Sequence, residues 1–478
     1  MSVPNPTGIL QYANAVAKPA RGVTVQALDA SLNVLASTQT DASGGYTLTV
    51  AQPNTVTVQV LAEMKRTSGA STWDVMVRDN TQLGAEYAMR SASFAVTAAA
   101  VQRDLVAGSG WTGSGYGTPR IAGPFALLDT IYTAQQKVMA TAPSTVFPML
   151  DVFWSVNNLP APGSVALGQI GTSFFIHPTG TVAAIYVLGK ADVDTDEYDD
   201  SVVAHEWGHY YQNAFSRNDS MGGSHAGGQS LDRRIAFSEG WGNAWSGIAL
   251  NRSSYTDSYG ASQSQGFAID LSVGPTSNKG WFNERSVAYV LWKLNALSGF
   301  QAVHAAMSSG VRTGGAMTSI HAFNAALKAA APGVAALFAP ILSAEGIEPN
   351  ADAWGDVETN AGSSTVALPM YQSKTAGVNL PNVCVSNVFG SYNKLGNYAY
   401  VRFTTPVAAT YQITVGGGSL ATDPDFGIYD QGVLVGLGDD AGPSSETQNL
   451  SLSAGTHVLV VFDYNNAAAS SCFTVSIN

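Results

Sequence analysis

The sequence predicts a multidomain chain in which an α+β centre is flanked at both ends by all-β sandwich domains. Three observations carry that expectation. Apolar residues alternate with a period of two before about residue 104 and again after about residue 375. Between those regions they recur at the three-and-four spacing of helices. A Gly- and Ser-rich run, Gly108-Ser109-Gly110-Trp111-Thr112-Gly113-Ser114-Gly115, follows the first alternating region and reads as a linker. The expected layout is a β-sandwich over 1–106, a linker over 107–118, an α+β domain over 119–375 and a second β-sandwich over 376–478.

Composition narrows the class. The chain has 478 residues, enough for two to four domains, and 12% of them are charged. Acids outnumber Lys plus Arg by 34 to 22, so the basic footprint of a nucleic-acid binder is absent. No run approaches eighteen apolar residues, which excludes a helical membrane span from the expectation. The first residues, Met1-Ser2-Val3-Pro4-Asn5, have neither a positive n-region nor an apolar h-region, so no signal peptide is read there. The two cysteines, Cys384 and Cys472, bracket the last β-rich segment and are expected to form a disulfide. An oxidising compartment follows: secreted, extracellular or periplasmic, with the chain a mature form and a monomer.

The elements follow in chain order. Val23–Leu28, Tyr46–Val50 and Thr55–Leu61 alternate as strands, and Thr40-Asp41-Ala42-Ser43-Gly44-Gly45 supplies a turn before the second. This region resembles the small Ig-like or transthyretin-like domains attached to many secreted peptidases, which implies a spacer or docking role. Pro124–Ala140 has helical spacing, and strands are expected at Val146–Trp154, Phe174–Ile176 and Val182–Leu188. The run Asp192-Val193-Asp194-Thr195-Asp196-Glu197-Tyr198-Asp199-Asp200 starts like an EF-hand loop. Its sixth position is Glu197 rather than Gly and its twelfth is Val203 rather than Glu, so it is not one. Acids ahead of a helix serve its dipole and cap, with a structural Ca²⁺ as a second candidate cofactor. Helices are then expected at Leu231–Leu250, Glu284–Ser298, Gln301–Ser308, Met317–Ala330 and Val334–Leu342. Period two returns in Tyr398–Phe403, Thr410–Val415, Phe426–Tyr429 and His457–Phe462. That last region resembles the pre-peptidase C-terminal β-sandwich of secreted bacterial peptidases, with Asp423, Asp425 and Asp430 as further candidate calcium ligands.

The chemistry concentrates in Ser201 to Asn213, above all in His205-Glu206-Trp207-Gly208-His209. Positions four apart share one helix face, so both imidazoles can reach one ion about 2 Å from each nitrogen. Glu206 lies about 100° further round the axis, beside the ion rather than on it, where it can act as a base toward water. With seven His and ten Glu in the chain, chance assembly of H-E-x-x-H is on the order of two in a thousand. The pattern on a helix is the zinc-peptidase signature.

A catalytic zinc takes three protein ligands. Phe215 and Gln212 stand where metzincins carry His and Gly, which excludes that family. His225, in the Gly-rich loop Asn218–Gly228, is one candidate. Glu239, thirty residues after His209 in Ser238-Glu239-Gly240-Trp241-Gly242-Asn243, is the favoured one. A Glu on a second helix with a small polar residue four later resembles the gluzincins, the thermolysin-like zinc peptidases. That resemblance implies one catalytic Zn²⁺ on His205, His209 and Glu239, with Asn243 orienting His205 where the family commonly has Asp. It also implies Glu206 as general base. Arg285 and Tyr289, on a helix opening in the right part of the chain, are candidate donors to the developing oxyanion that match the family only loosely, and an ordinary amphipathic helix face explains them about as well. His304 and His321 read as core or surface histidines, and His177 as a loop position of low weight. The expected activity is hydrolysis of a polypeptide or glycoprotein by a zinc endopeptidase. The alternatives are a zinc aminopeptidase, whose substrate loop is not found, and a host- or matrix-binding adhesin with an accessory metal.

Overall fold

A computed structural model describes residues 3–4, 7–52, 54–176, 182–375, 377–442, 444–466 and 468–478. The fold is mixed, with several sheets and seven α-helices among the described residues. Two compact units are distinguished, one comprising 1–210 and 245–270, the other 211–244 and 271–478.

The first unit is built on a ten-stranded sheet. Its main path runs Phe174–Ile176, Ala183–Val187, Leu150–Trp154, Trp73–Asp79, Asn54–Arg66, Val23–Leu28 and Val34–Gln39. Alternate residues are buried in the strands at 73–79, 150–154 and 183–187, which is the period-two pattern of a sheet with one face on the core. Helix α1 (Ala122–Met139) lies against Asn54–Arg66 and Trp73–Asp79, burying Leu127, Leu128, Ile131 and Val138. Helix α2 (Asp200–Phe215) carries the H-E-x-x-H motif, and a hairpin of Ser254–Tyr259 with Gln265–Asp270 follows later in the chain.

This sheet corrects the expected boundary at 107–118. Trp73–Asp79 pairs on one side with Asn54–Arg66 and on the other, in parallel, with Leu150–Trp154, Val75 standing opposite Leu150 and Val77 opposite Val152. These four residues are buried in matching register, so the strands at 23–79 and 150–187 share one sheet instead of forming separate domains. The Gly- and Ser-rich run is likewise anchored. Trp111 stacks on Tyr12 with centroids 3.7 Å apart, and the Tyr116 and Tyr12 hydroxyls are 2.6 Å apart. Tyr46–Val50 is not a strand: Asp41 closes the preceding turn by accepting from the backbone N–H groups of Ser43 and Gly45, and the alternating segment pairs with no described strand. Part of the expected strand at 182–188 is found as Ala183–Val187; His177 lies outside the described residues.

In the second unit the expected helices appear as α4 (Glu284–Ser298), α5 (Phe300–Ala306), α6 (Ile320–Ala330) and α7 (Pro332–Ala344). Helix α3 (Arg233–Leu250) begins in this unit. The C-terminal region is a β-sandwich. A five-stranded sheet runs in the order Gln372–Lys374, Tyr398–Thr405, Gly455–Asp463, Pro424–Asp430, Val433–Gly438. A four-stranded sheet runs Leu380–Val385, Ser471–Ile477, Ala409–Gly416, Ser445–Leu452. Inward-facing residues of both, among them Val401, Phe403, Phe426, Ile413, Phe473 and Val475, form one core. Cys384 and Cys472 are opposite each other on neighbouring strands and are joined by a disulfide.

Within this unit the sandwich is fastened to the start of α3. Tyr400 Oη donates to Asp232 Oδ2 at 2.5 Å, and Arg234 Nε donates to Asp232 Oδ1 at 2.9 Å. The Arg233 guanidinium lies 3.9 Å from the Tyr400 ring centre and 4.6 Å from that of Tyr371, while Arg234 covers Tyr398 at 4.6 Å. Aromatic faces thus shelter two buried cations that are only partly matched by acceptors.

Candidate functional site

Helix α2 opens on a dense set of polar contacts. The Asp199 carbonyl accepts the first intrahelical bonds, from Val202 N at 3.0 Å and Val203 N at 3.3 Å. The Asp199 carboxylate does not cap the helix; it accepts from Ser258 N and Oγ. Asp200 pairs with Arg252, and Ser201 Oγ accepts from Thr256 N and from Arg252. One turn before these, Glu197 is fully enclosed, bonded to Arg120 and to Trp154 Nε1. Burial pushes the Glu197 carboxyl up to about 7, with the Arg120 charge opposing it.

Residues 201–210 of α2 are all buried. His205, Glu206 and His209 are each 8% exposed, so the motif is enclosed yet still reached by solvent. The Nε2 atoms of His205 and His209 face each other at 3.0 Å, as i and i+4 positions on one helix face permit. Two imidazole nitrogens this close need a proton or a cation between them. The Tyr255 ring stands edge-on to His205, centroids 6.0 Å apart. Glu239 of α3 is also 8% exposed, and its carboxylate oxygen together with one ring nitrogen each of His205 and His209 form a group within 4.8 Å of one another. Two imidazole nitrogens and one carboxylate oxygen are the donor set of a catalytic zinc, so these residues fit the metal expected from the sequence.

The other expected residues are placed as follows. Asn243 is buried on α3, one turn beyond Glu239. His225 is not itself in the ligand group; it contacts the favoured ligand, with Nε2 3.3 Å from Glu239 Oε2 and Nδ1 2.8 Å from Glu284 Oε2. Burial works against a charged imidazole there, but the carboxylates of Glu239 and Glu284 outweigh it and hold the His225 pKa at about 10. Glu284, the first residue of α4, is the partner that sequence reasoning missed: an acid in a first helical turn looks like a dipole match and nothing more. Arg285 lies beside the loop of His225, where a Cβ on Gly227 would come within 3.2 Å of its Cδ, and Tyr289 lies under Lys293 Nζ at 5.8 Å. His304 Nδ1 meets the Tyr211 hydroxyl at 2.6 Å and burial lowers its pKa, while His321 pairs with Glu358 at 2.8 Å with both side chains 1% exposed. His321 is a core histidine, whereas His304 is half-buried. In the C-terminal sandwich, Asp423, Asp425 and Asp430 do not form an ion-holding group among the described residues; Asp430 instead accepts from Ser453 Oγ.

No family model matches this chain, and no curated protein does. Among solved structures it is similar to the pre-peptidase C-terminal domain of a collagenase from Bacillus anthracis, at 14% identity over 23% of this chain and 94% of that one, with a TM-score of 0.18. It is also similar to PliG from Aeromonas hydrophila, a periplasmic inhibitor of g-type lysozyme, at 16% identity over 23% of this chain and 96% of that one, with a TM-score of 0.16. At such scores neither likeness carries an argument about activity.

Proposed function

We propose that the chain is a secreted zinc endopeptidase of the gluzincin type, cleaving a polypeptide or glycoprotein, with His205, His209 and Glu239 as ligands. The observation that carries this reading is the convergence of two ring nitrogens and a carboxylate oxygen within 4.8 Å, with Glu206 next to the first of them on the same helix. When bound, zinc supplies a Lewis acid for the scissile carbonyl and for the attacking water. Glu206 takes the proton from that water and passes it to the leaving amine. His225, held between Glu239 and Glu284, fixes the orientation of the Glu239 carboxylate. Arg285 and Tyr289 remain the proposed donors to the oxyanion.

The decisive experiment is Glu206→Gln in the full chain. Zinc content should stay at one per chain while hydrolysis of a peptide library drops by about 10²–10⁴. Retained hydrolysis in that variant overturns the assignment, and so does a His205→Ala or Glu239→Ala variant that keeps full zinc.

A further inference from the structure

We propose that Asp194, Asp196 and Asp257 form a second, all-oxygen cation site that takes calcium. One carboxylate oxygen from each lies within 4.8 Å of the other two. Oxygens bound to one calcium at about 2.4 Å are spaced within that limit. The three come from two segments that run side by side. Asp194 bridges to Tyr259, and Gly260 N donates to Val193 O at 2.8 Å, which lays the 192–196 loop along the Ser254–Tyr259 strand.

Orphaned oxygens lie on two buried side chains bonded to Ser258, the residue after Asp257, and on the three acids themselves, and these point to a ligand. Asp199 is completely buried; its Oδ2 accepts from Ser258 N at 3.2 Å and Ser258 Oγ at 2.6 Å, while its Oδ1 has no hydrogen-bond partner. Gln263 is also completely buried. Its amide Nε2 donates to Ser258 O at 2.9 Å, and its carbonyl Oε1 is without a partner. The Oδ1 atoms of Asp194, Asp196 and Asp257 are unpartnered as well. Arg252 pairs with Asp200 and Arg120 with Glu197, while Lys190, which bridges to Asp194 through the backbone, is exposed.

Enclosed carboxylates without a counter-charge are strongly disfavoured. A divalent ion satisfies several of these oxygens at once. The absence of nitrogen and sulfur donors selects a hard cation over zinc, and a set of irregularly spaced carboxylates suits calcium better than the strict octahedron of magnesium. Bound there, calcium ties the segment leading into α2 to the strand bearing Tyr255, whose ring borders His205. This inference does not rest on the zinc reading.

The test uses the full chain stripped of divalent ions and then reloaded with one equivalent of zinc. Titration with Tb³⁺ should give tyrosine-sensitised emission that saturates at one ion and is displaced by calcium, and calcium should raise the unfolding temperature by several degrees. Asp196→Asn should weaken Tb³⁺ binding more than about tenfold with zinc content unchanged. Asp194→Asn, at a less enclosed carboxylate, gives the same readout if Asp196→Asn does not fold. Wild-type protein with neither sensitised emission nor a calcium-dependent shift in unfolding overturns the proposal, as does undiminished binding in the variants. Zinc content and peptide hydrolysis, measured on the same samples, report separately on the His205 group.

Discussion

The two ion-capable groups among the described residues begin on one short stretch, yet their donors differ. Asp194 and Asp196 precede α2 and meet a third carboxylate; His205 and His209 lie within α2 and meet a single one. Nitrogen donors from one helix face give a borderline-soft, geometrically demanding set, and carboxylates from a loop and a strand give a hard, tolerant one. What separates them is secondary structure. A helix brings residues four apart into register by itself, whereas the loop needs the strand at 254–259 to complete its group.

Chelators should separate the groups most sharply. A zinc chelator such as 1,10-phenanthroline is expected to reduce peptide hydrolysis to background, with zinc restoring it and calcium not. Stripping all divalent ions and restoring one equivalent of zinc alone should give full zinc content with a lowered unfolding temperature, which calcium then raises. Restoration of activity by calcium alone would erase the distinction. A smaller effect is expected from His225→Gln, which removes the charged partner of Glu239 and Glu284. Zinc affinity, measured by competition with a fluorescent chelator, should fall about 10–100-fold while Tb³⁺ binding at the acidic group is unchanged.

The smallest effect concerns an acidic patch that does not form an ion group. Burial, and then Asp423 and Glu446, push Asp425 up to about 7 from an ordinary value of 3.8. Between those values the folded sandwich keeps a proton that the unfolded chain releases. The associated stability is therefore complete below about pH 4 and is lost as pH rises through about 7. Thermal unfolding from pH 4 to 8 should show this decline, and Asp425→Asn should flatten it by a few degrees.

What was legible in the sequence was local. The H-E-x-x-H helix, the helices from 284 onward and the C-terminal strands are written in spacing alone, and α4 is found at its expected limits. What depended on distant partners was hidden. Tyr46–Val50 alternates as well as any strand but has no neighbour to pair with, while Trp73–Asp79 gains a neighbour from beyond the supposed linker. Asp257 stands sixty-one residues from Asp196, and nothing near it in sequence marks it as belonging to the acidic run. Glu239 was singled out through resemblance and local composition, yet the His225–Glu284 pair behind it was not, because that pair forms only across three separate segments.

The aromatic seat that Tyr371, Tyr398 and Tyr400 make for Arg233 and Arg234 has a consequence for how this protein could be shortened or recombined. A chain cut after residue 371 would keep Tyr371 but lose Tyr398 and Tyr400, stripping the rings from Arg234 and the nearest ring from Arg233, only five and six positions ahead of Glu239. The C-terminal portion is thus no detachable tail that evolution or an engineer can trade freely. Any replacement module would have to bring its own tyrosines to the same place.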